Sequence, residues 1–268
     1  MDLILEQFSL LVISLVANGL SAMAGGGAGL LQLPVLLFLG LNFSMALATH
    51  KIASVALGVG ATLRHMKEGK LDWQFCGFIL ATGLPGVILG ADLVLEIPEG
   101  WTVFSLGILT AGLGLYSVFK KTLGMESTPK HRDLQGMLIG GLGLFIIGTL
   151  NGSLTSGTGL FVTLWLVRWF GLDYKTAVTY VLILVGLFWN STGAITVGLQ
   201  QAPRWDWLPV LIIGAIAGAY LGAHIALSRG NTLVKRAFET LTILVGCKLI
   251  YDGTLILSAI NTTSGLAE

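Results

Sequence analysis

A glycine-rich stretch that occurs twice constrains this chain more than any other feature. Ser21-Ala22-Met23-Ala24-Gly25-Gly26-Gly27-Ala28-Gly29-Leu30 is answered by Asn151-Gly152-Ser153-Leu154-Thr155-Ser156-Gly157-Thr158-Gly159-Leu160, so that Gly27 meets Gly157 and Gly29 meets Gly159. Gly40-Leu41-Asn42-Phe43 then pairs with Gly171-Leu172-Asp173-Tyr174, and Pro85-Gly86 to Gly90-Ala91 with Ala217-Gly218 to Gly222-Ala223. The order is kept while the offset drifts by a few residues. In an apolar chain, two halves with a helix-breaking stretch at matching places point to a transporter built from internal repeats.

Hydrophobic residues make up 54% of the chain and charged residues 11%, against roughly 25% charged in a soluble domain. Several apolar runs exceed the roughly 20 residues that cross a bilayer as a helix. The fold class is therefore an all-α polytopic membrane protein, with the lipid bilayer as its first partner. A net charge of +1 leaves no nucleic-acid footprint. Cys76 and Cys247 sit in apolar runs and read as unpaired thiols. The spacing of Cys and His suggests no metal site, and no cofactor is expected. The N-terminal run ending in Ala22-Met23-Ala24 imitates a signal peptide. Asp2 and Glu6 stand where basic residues belong, however, and cleavage would remove one of the two matching units.

Apolar segments run approximately over 3–24, 30–39, 44–63, 73–95, 101–119, 134–154, 160–170, 175–199, 207–228 and 237–257. Segments 30–39 and 160–170 are too short to span, since about ten residues of helix reach about 15 Å. Each follows a glycine break. The simplest geometry is a helix that enters, breaks, and returns as a re-entrant half-helix to the side it came from, which leaves about eight main helices. Twelve of the fifteen Lys/Arg residues then collect on one face: Arg64, Lys67, Lys70, Lys120, Lys121, Lys130, Arg132, Arg168, Lys175, Arg229, Lys235 and Arg236. That face is cytoplasmic by the positive-inside rule, and the two repeats are inverted. Residues 1–120 form the first repeat, 121–133 a cytoplasmic linker and 134–268 the second repeat.

The breaks are the candidate site. Half-helices starting near Ala28 and Thr158 would aim free N–H groups and the positive dipole end at the membrane interior, where such termini bind anions. Gly26, Gly27, Ala28 and Gly29 on one side, and Thr155, Ser156, Gly157 and Thr158 on the other, are the candidate ligands. Close helix packing through small residues is the competing reading, outweighed here by duplication together with two half-length segments. Lys51, preceded by Thr49 and His50, and Lys248 lie within spans. An ionisable group there costs at least about 2.5–3.5 kcal/mol and is functional by default. The alternatives are snorkelling for Lys51 and an ion pair with Asp92 or Asp252 for Lys248. His50 is a candidate carrier of a coupling proton, and Asn190 a candidate ligand or interhelical hydrogen bond.

The ordered pair Ala24-Gly25-Gly26-Gly27-Ala28-Gly29 … Pro34 … Gly40-Leu41 and Thr155-Ser156-Gly157-Thr158-Gly159 … Gly171-Leu172 resembles the sulfite exporter TauE/SafE family of membrane permeases over essentially the whole chain. The second copy departs from the family pattern, with hydroxyl residues where glycines are usual and Trp165 nearest the place of Pro34. The resemblance implies transport of sulfur oxyanions or organosulfonates, such as sulfite or a sulfoacetate-like compound. The residues alone reach only a small anionic solute. The reading is a secondary transporter in the cell membrane and not an enzyme. The alternatives are a passive anion channel, an intramembrane enzyme and a structural membrane subunit. A monomer and a homodimer are both compatible with the sequence.

The sorting of basic residues makes a direct prediction. Single cysteines in the 120–133 loop should react with impermeant thiol reagents only from the cytoplasmic side, and cysteines near residue 268 only from outside. Cytoplasmic labelling of residue 268 would overturn the inverted arrangement.

Overall fold

A computed structural model describes residues 3–65, 71–93, 99–154 and 157–264. Among the described residues every regular element is a helix: α1 (Leu3–Ala24), α2 (Ala28–Phe38), α3 (Phe43–His65), α4 (Trp73–Leu93), α5 (Glu99–Phe119), α6 (Leu134–Leu154), α7 (Thr158–Arg168), α8 (Tyr174–Tyr180), a π-helical segment (Val181–Trp189), α9 (Asn190–Gln200), α10 (Leu208–Arg229) and α11 (Asn231–Ser264). Seven of the described helical stretches are long and apolar enough to cross a membrane, counting Tyr174–Gln200 as one. The chain is a multi-pass membrane protein. Large apolar side chains such as Phe8, Leu138, Ile213 and Leu244 are exposed on its surface. That is where a bilayer, in place of water, supplies the contacts.

Both half-length segments are helices of 11 residues, and each is preceded by a glycine in the left-handed region. Gly25, Gly26 and Gly27 have φ of 85°, 143° and 99°, and Gly157 has φ of 77°. Only glycine occupies these conformations without strain, which is why a tight break can separate two helices so abruptly. One feature had no sequence signal: Val181–Trp189 is π-helical over nine residues. The widened turn lets backbone approach backbone. A Cβ on Gly58 would lie 2.4 Å from the Gly186 carbonyl carbon.

The helices pack in a pattern that repeats. α1 lies along α10 as α6 lies along α4, and α5 pairs with α11. The seams match residue by residue. A Cβ on Gly86 would meet the Phe145 carbonyl oxygen at 2.2 Å and one on Gly90 the Thr149 carbonyl oxygen at 1.9 Å. Gly218 and Gly222 stand in the same relation to the Leu15 and Gly19 carbonyl oxygens, both at 2.2 Å. These are the glycines of the duplicated Gly-x-x-x-Gly element, and they let helix backbones touch where lipid offers no hydrophobic drive for association. Away from the seams Arg132 closes one end of the bundle, its guanidinium 3.7 Å from the centroid of the Phe75 ring.

Gly222→Val should cost at least the 1–3 kcal/mol typical of overpacking, because the new side chain meets backbone that cannot rotate away. Gly198→Ala, at a helical position with nothing within 4 Å of the added methyl, should be neutral or slightly stabilising. Thermal unfolding of the purified protein in detergent measures both. An unchanged melting temperature for Gly222→Val would mean that this seam does not hold α1 on α10.

Candidate functional site

The two breaks meet. Gly26 rests on the first turn of α7, where a Cβ would lie 2.7 Å from the Cα of Gly159. The Thr163 hydroxyl is shared between the Gly25 carbonyl oxygen at 3.0 Å and that of Gly159, in its own helix, at 2.9 Å. The Gly25 and Gly26 N–H groups both donate to the Ser21 carbonyl, at 2.8 and 2.9 Å, so the end of α1 is closed before the chain turns. The starts of α2 and α7 are not closed by a side chain, because Gly27 and Gly157, their N-cap residues, offer none. The first N–H groups of a helix have no partner within it.

Both uncapped N-termini open on one cavity of about 40 Å³ of space for the centres of water-sized groups, room for roughly three of them. Gly26, Gly27, Ala28 and Gly29 line it from the first half, and Thr158 and Gly159 from the second. Ser21, His50, Ser54, Asn151 and Asn190 bring polar side chains to the wall, and Val181, Leu182, Val185 and Gly186 of the π-helical segment form its apolar side. Several of these polar groups are left open. Ser21 Oγ, His50 Nδ1 and Asn151 Oδ1 are buried without a hydrogen-bond partner, and buried polar atoms are seldom left so. The Asn151 side-chain NH₂ donates to Thr158 Oγ1 at 2.7 Å, which locks the end of α6 to the start of α7.

Lys51 stands immediately behind this wall. It is 1% exposed, so it does not snorkel. Its ammonium donates to the Asn151 carbonyl at 2.8 Å, and Gly193 leaves it space, since a Cβ there would lie 2.7 Å from Nζ. The ion pairs among the described residues join Arg204 to Asp206, Lys235 to Glu239 and Lys248 to Asp252; none includes Lys51. α6, α9, α2 and the π-helical segment contain no ionisable side chain in their sequences. An ionisable side chain in such surroundings is costly to bury, which makes Lys51 a candidate functional residue.

The remaining expectations divide. Thr49 is buried but serves structure: its hydroxyl donates to the Met45 carbonyl at 2.7 Å and accepts from the Arg204 N–H at 2.8 Å. It ties the 201–207 loop to α3 and does not line the cavity. Lys248 is half exposed on α11 and pairs with Asp252 at 2.5 Å, away from the cavity. Thr155 and Ser156 lie outside the described residues. The cavity also takes in Ser21, Ser54, Asn151, Gly159 and Gly186, which lie outside the candidates the sequence pattern offers. Asn151 and Ser21 open the two duplicated stretches at equivalent positions, a signal that was available. Nothing in the linear pattern marks Ser54 or Gly186.

Gly26→Ala should fail on two counts, a positive φ and a 2.7 Å collision with Gly159 backbone. Thr163→Val, nearly equal in volume, should lower stability by about 1 kcal/mol through its lost hydrogen bond. Denaturation midpoints in detergent would show the order; a Gly26→Ala protein as stable as the wild type would mean that the two breaks are not in contact.

The sequence profile of the family described as "Sulfite exporter TauE/SafE" matches residues 10–249. A "Probable membrane transporter protein" of Haemophilus influenzae is 28% identical over 254 residues, covering 94% of this chain and 98% of that protein. "Probable membrane transporter protein YfcA" of Escherichia coli K12 is 26% identical over 243 residues, 91% of this chain and 89% of its own length. "Probable membrane transporter protein YunE" of Bacillus subtilis is 24% identical over 271 aligned positions, 91% of this chain and 97% of its own length. No solved structure matches. With the family profile matching from Leu10 to Leu249, the chain belongs to the sulfite exporter TauE/SafE family.

Proposed function

We propose that this TauE/SafE-family chain, a membrane transporter, carries a small anion of the sulfur oxyanion or organosulfonate class through the cavity between its two helix breaks. One observation carries the reading: two uncapped helix N-termini, from opposite halves of the chain, open on the same cavity. Each presents a first turn that no side chain caps and the positive end of a helix dipole, and both favour negative charge. The Asn151, Asn190, Ser21, Ser54 and Thr158 side chains add hydrogen-bonding groups around the wall. Lys51 adds a positive charge behind it. The cavity's size suits a single oxyanion head group.

In this proposal the first repeat, residues 1–120, and the second, 134–268, are inverted in the membrane and joined by a cytoplasmic linker. Both termini are extracytoplasmic, in the cell membrane. The matched glycine seams support a two-fold relation between the repeats, because α1 packs on α10 as α6 packs on α4, each seam joining one repeat to the other. Transport proceeds by rocking of the halves about the cavity, which alternately exposes the anion on each side. His50, with Nδ1 unpartnered at the wall, is the group best placed to carry a coupling proton. Gly25–Gly29 and Thr158–Gly159 form the bed on which the anion sits. Thr155 and Ser156 extend it in this reading by their place in the duplicated stretch.

The test is flux. Purified protein in proteoliposomes should take up labelled sulfite or a sulfonate, saturably, and accumulate it against its gradient when a proton gradient is imposed. Flux that only equilibrates indicates a passive channel; no flux or binding of any sulfur anion would sink the substrate class. Lys51→Met should weaken anion binding by about tenfold or more, equivalent to at least ~1.4 kcal/mol. It should leave the amount of folded protein largely unchanged, because it removes a buried charge that has no partner carboxylate. Anion affinity in detergent, read by calorimetry or thermal shift, decides it. Unaltered affinity would assign the site's positive character to the helix termini alone.

A further inference from the structure

One side of α1 carries polar residues that the cavity does not account for. Ser14, Asn18 and Ser21 are spaced four and three apart, so they share one helix face. All are at most 1% exposed, and Gln32 of α2 is 0% exposed beside them. The Ser14 hydroxyl donates to the Leu211 carbonyl of α10 at 2.6 Å. The Asn18 NH₂ donates to the Ser14 carbonyl at 2.7 Å and approaches Ser14 Oγ at 3.2 Å and Gln32 Oε1 at 3.3 Å. Three atoms remain without partners: Asn18 Oδ1, Gln32 Nε2 and Ser21 Oγ. Ser21 also lines the central cavity. Farther along the same helix, at the opposite end, the Gln7 side chain reaches the Asp206 carbonyl at 3.4 Å. The row from Gln7 to Ser21 spans 14 residues, about 21 Å of helix.

Polar side chains that only glue helices together find partners across the interface. This row is left with two donors or acceptors on amides and one on a hydroxyl, of mixed sign, in an interior where unmet groups are costly. Mixed donors and acceptors suit water and a hydrated solute better than a bare cation. The second half has no such row. At the offset of 130 residues, positions 7, 14, 18 and 21 correspond to Met137, Leu144, Gly148 and Asn151. Only the innermost is polar.

We propose that the seam between α1 and α2 is a hydrophilic route, closed in this structure, that connects the central cavity with the end of the bundle bearing the 201–207 loop. It opens when the first repeat moves, with Asn18 and Gln32 exchanging their mutual hydrogen bond for water or for the passing anion. The equivalent seam of the second half is apolar, so the two faces of the protein are reached by unlike routes. What travels along the route rests on the anion reading above; the existence of the route does not.

The experiment is cysteine accessibility in the full chain with Cys76 and Cys247 replaced by Ala. Ser14→Cys and Asn18→Cys should react with a charged, membrane-impermeant methanethiosulfonate at least tenfold faster than Leu144→Cys, which is equally buried on the equivalent helix. Val16→Cys, on the exposed face of α1, should also stay slow because lipid covers it. Sulfite or methanesulfonate should slow the two route positions severalfold. Rates at Ser14→Cys and Asn18→Cys no faster than at Leu144→Cys would overturn the route. Should these variants fail to fold, Asn18→Leu decides: a route predicts an unchanged melting temperature with transport at least tenfold slower. A lowered melting temperature with unaltered transport per folded molecule overturns it in favour of simple interhelical bonding. Fast labelling without protection by any anion would keep the route and reject the anion reading.

Discussion

Contact between the first helix break and the opening turn of the second half-helix is the constraint from which the rest of the site follows. Gly26 and Gly159 approach so closely that neither tolerates a Cβ, and the Thr163 hydroxyl holds the Gly25 carbonyl in place. A broken helix in an apolar environment has to satisfy its exposed backbone groups somewhere. Here the two breaks do part of that for each other, and the groups that remain face a shared cavity. The site is therefore a consequence of where two interrupted helices are forced to meet.

That meeting is positioned by seams of glycine. Gly86 and Gly90 on α4 seat α6, and Gly218 and Gly222 on α10 seat α1, each against carbonyl oxygens of the partner. Both of the seated helices end in a break. The depth at which each break sits is thus set by backbone-to-backbone registry, which is stiffer than side-chain packing. At the third contact the π-helical turn brings Gly186 against Gly58, and the residues around it, Val181, Leu182 and Val185, become the apolar wall of the cavity. A π-turn inside a long helix often marks a functional position, and here it faces the two helix termini.

Charge is distributed with equal economy. Most ionisable groups sit outside the spans or pair with a neighbour, as Lys248 does with Asp252. Lys235 caps the end of α5 by donating to the Lys121 carbonyl at 3.1 Å, with the Lys120 carbonyl also in reach. Lys51 is buried without a carboxylate partner, where Lys235 has Glu239; it is held by the Asn151 carbonyl and adjacent to His50 on the cavity wall. The same carbonyl belongs to the residue whose side chain grips Thr158. Asn151 therefore links Lys51 to the start of α7, so that the charge and the cavity wall share one connection.

Much of this was legible in the linear chain. Hydropathy and length mark most of the described helices to within a few residues, because a bilayer demands long apolar runs and the glycines at 25–27 and 157 break them with φ values other residues avoid; α11 (Asn231–Ser264) runs well past the apolar segment 237–257 at both ends, where polar residues continue the helix. Duplication locates the breaks and the small-residue seams, and a place within an apolar run marks both Lys51 and Lys248. Other features depended on three dimensions. The π-helical turn has no composition of its own, since Val181–Trp189 reads as an ordinary apolar helix in sequence. Lys51 and Lys248 both fall within apolar runs, and only the acid near Lys248 is visible in sequence. One has an acid a turn away on its own helix; the other has only a carbonyl 100 residues distant, and no local pattern records that. The repeat alone determined that two helices would break. Only tertiary packing, through contacts between residues far apart in the chain, decided that the breaks would face each other across one cavity.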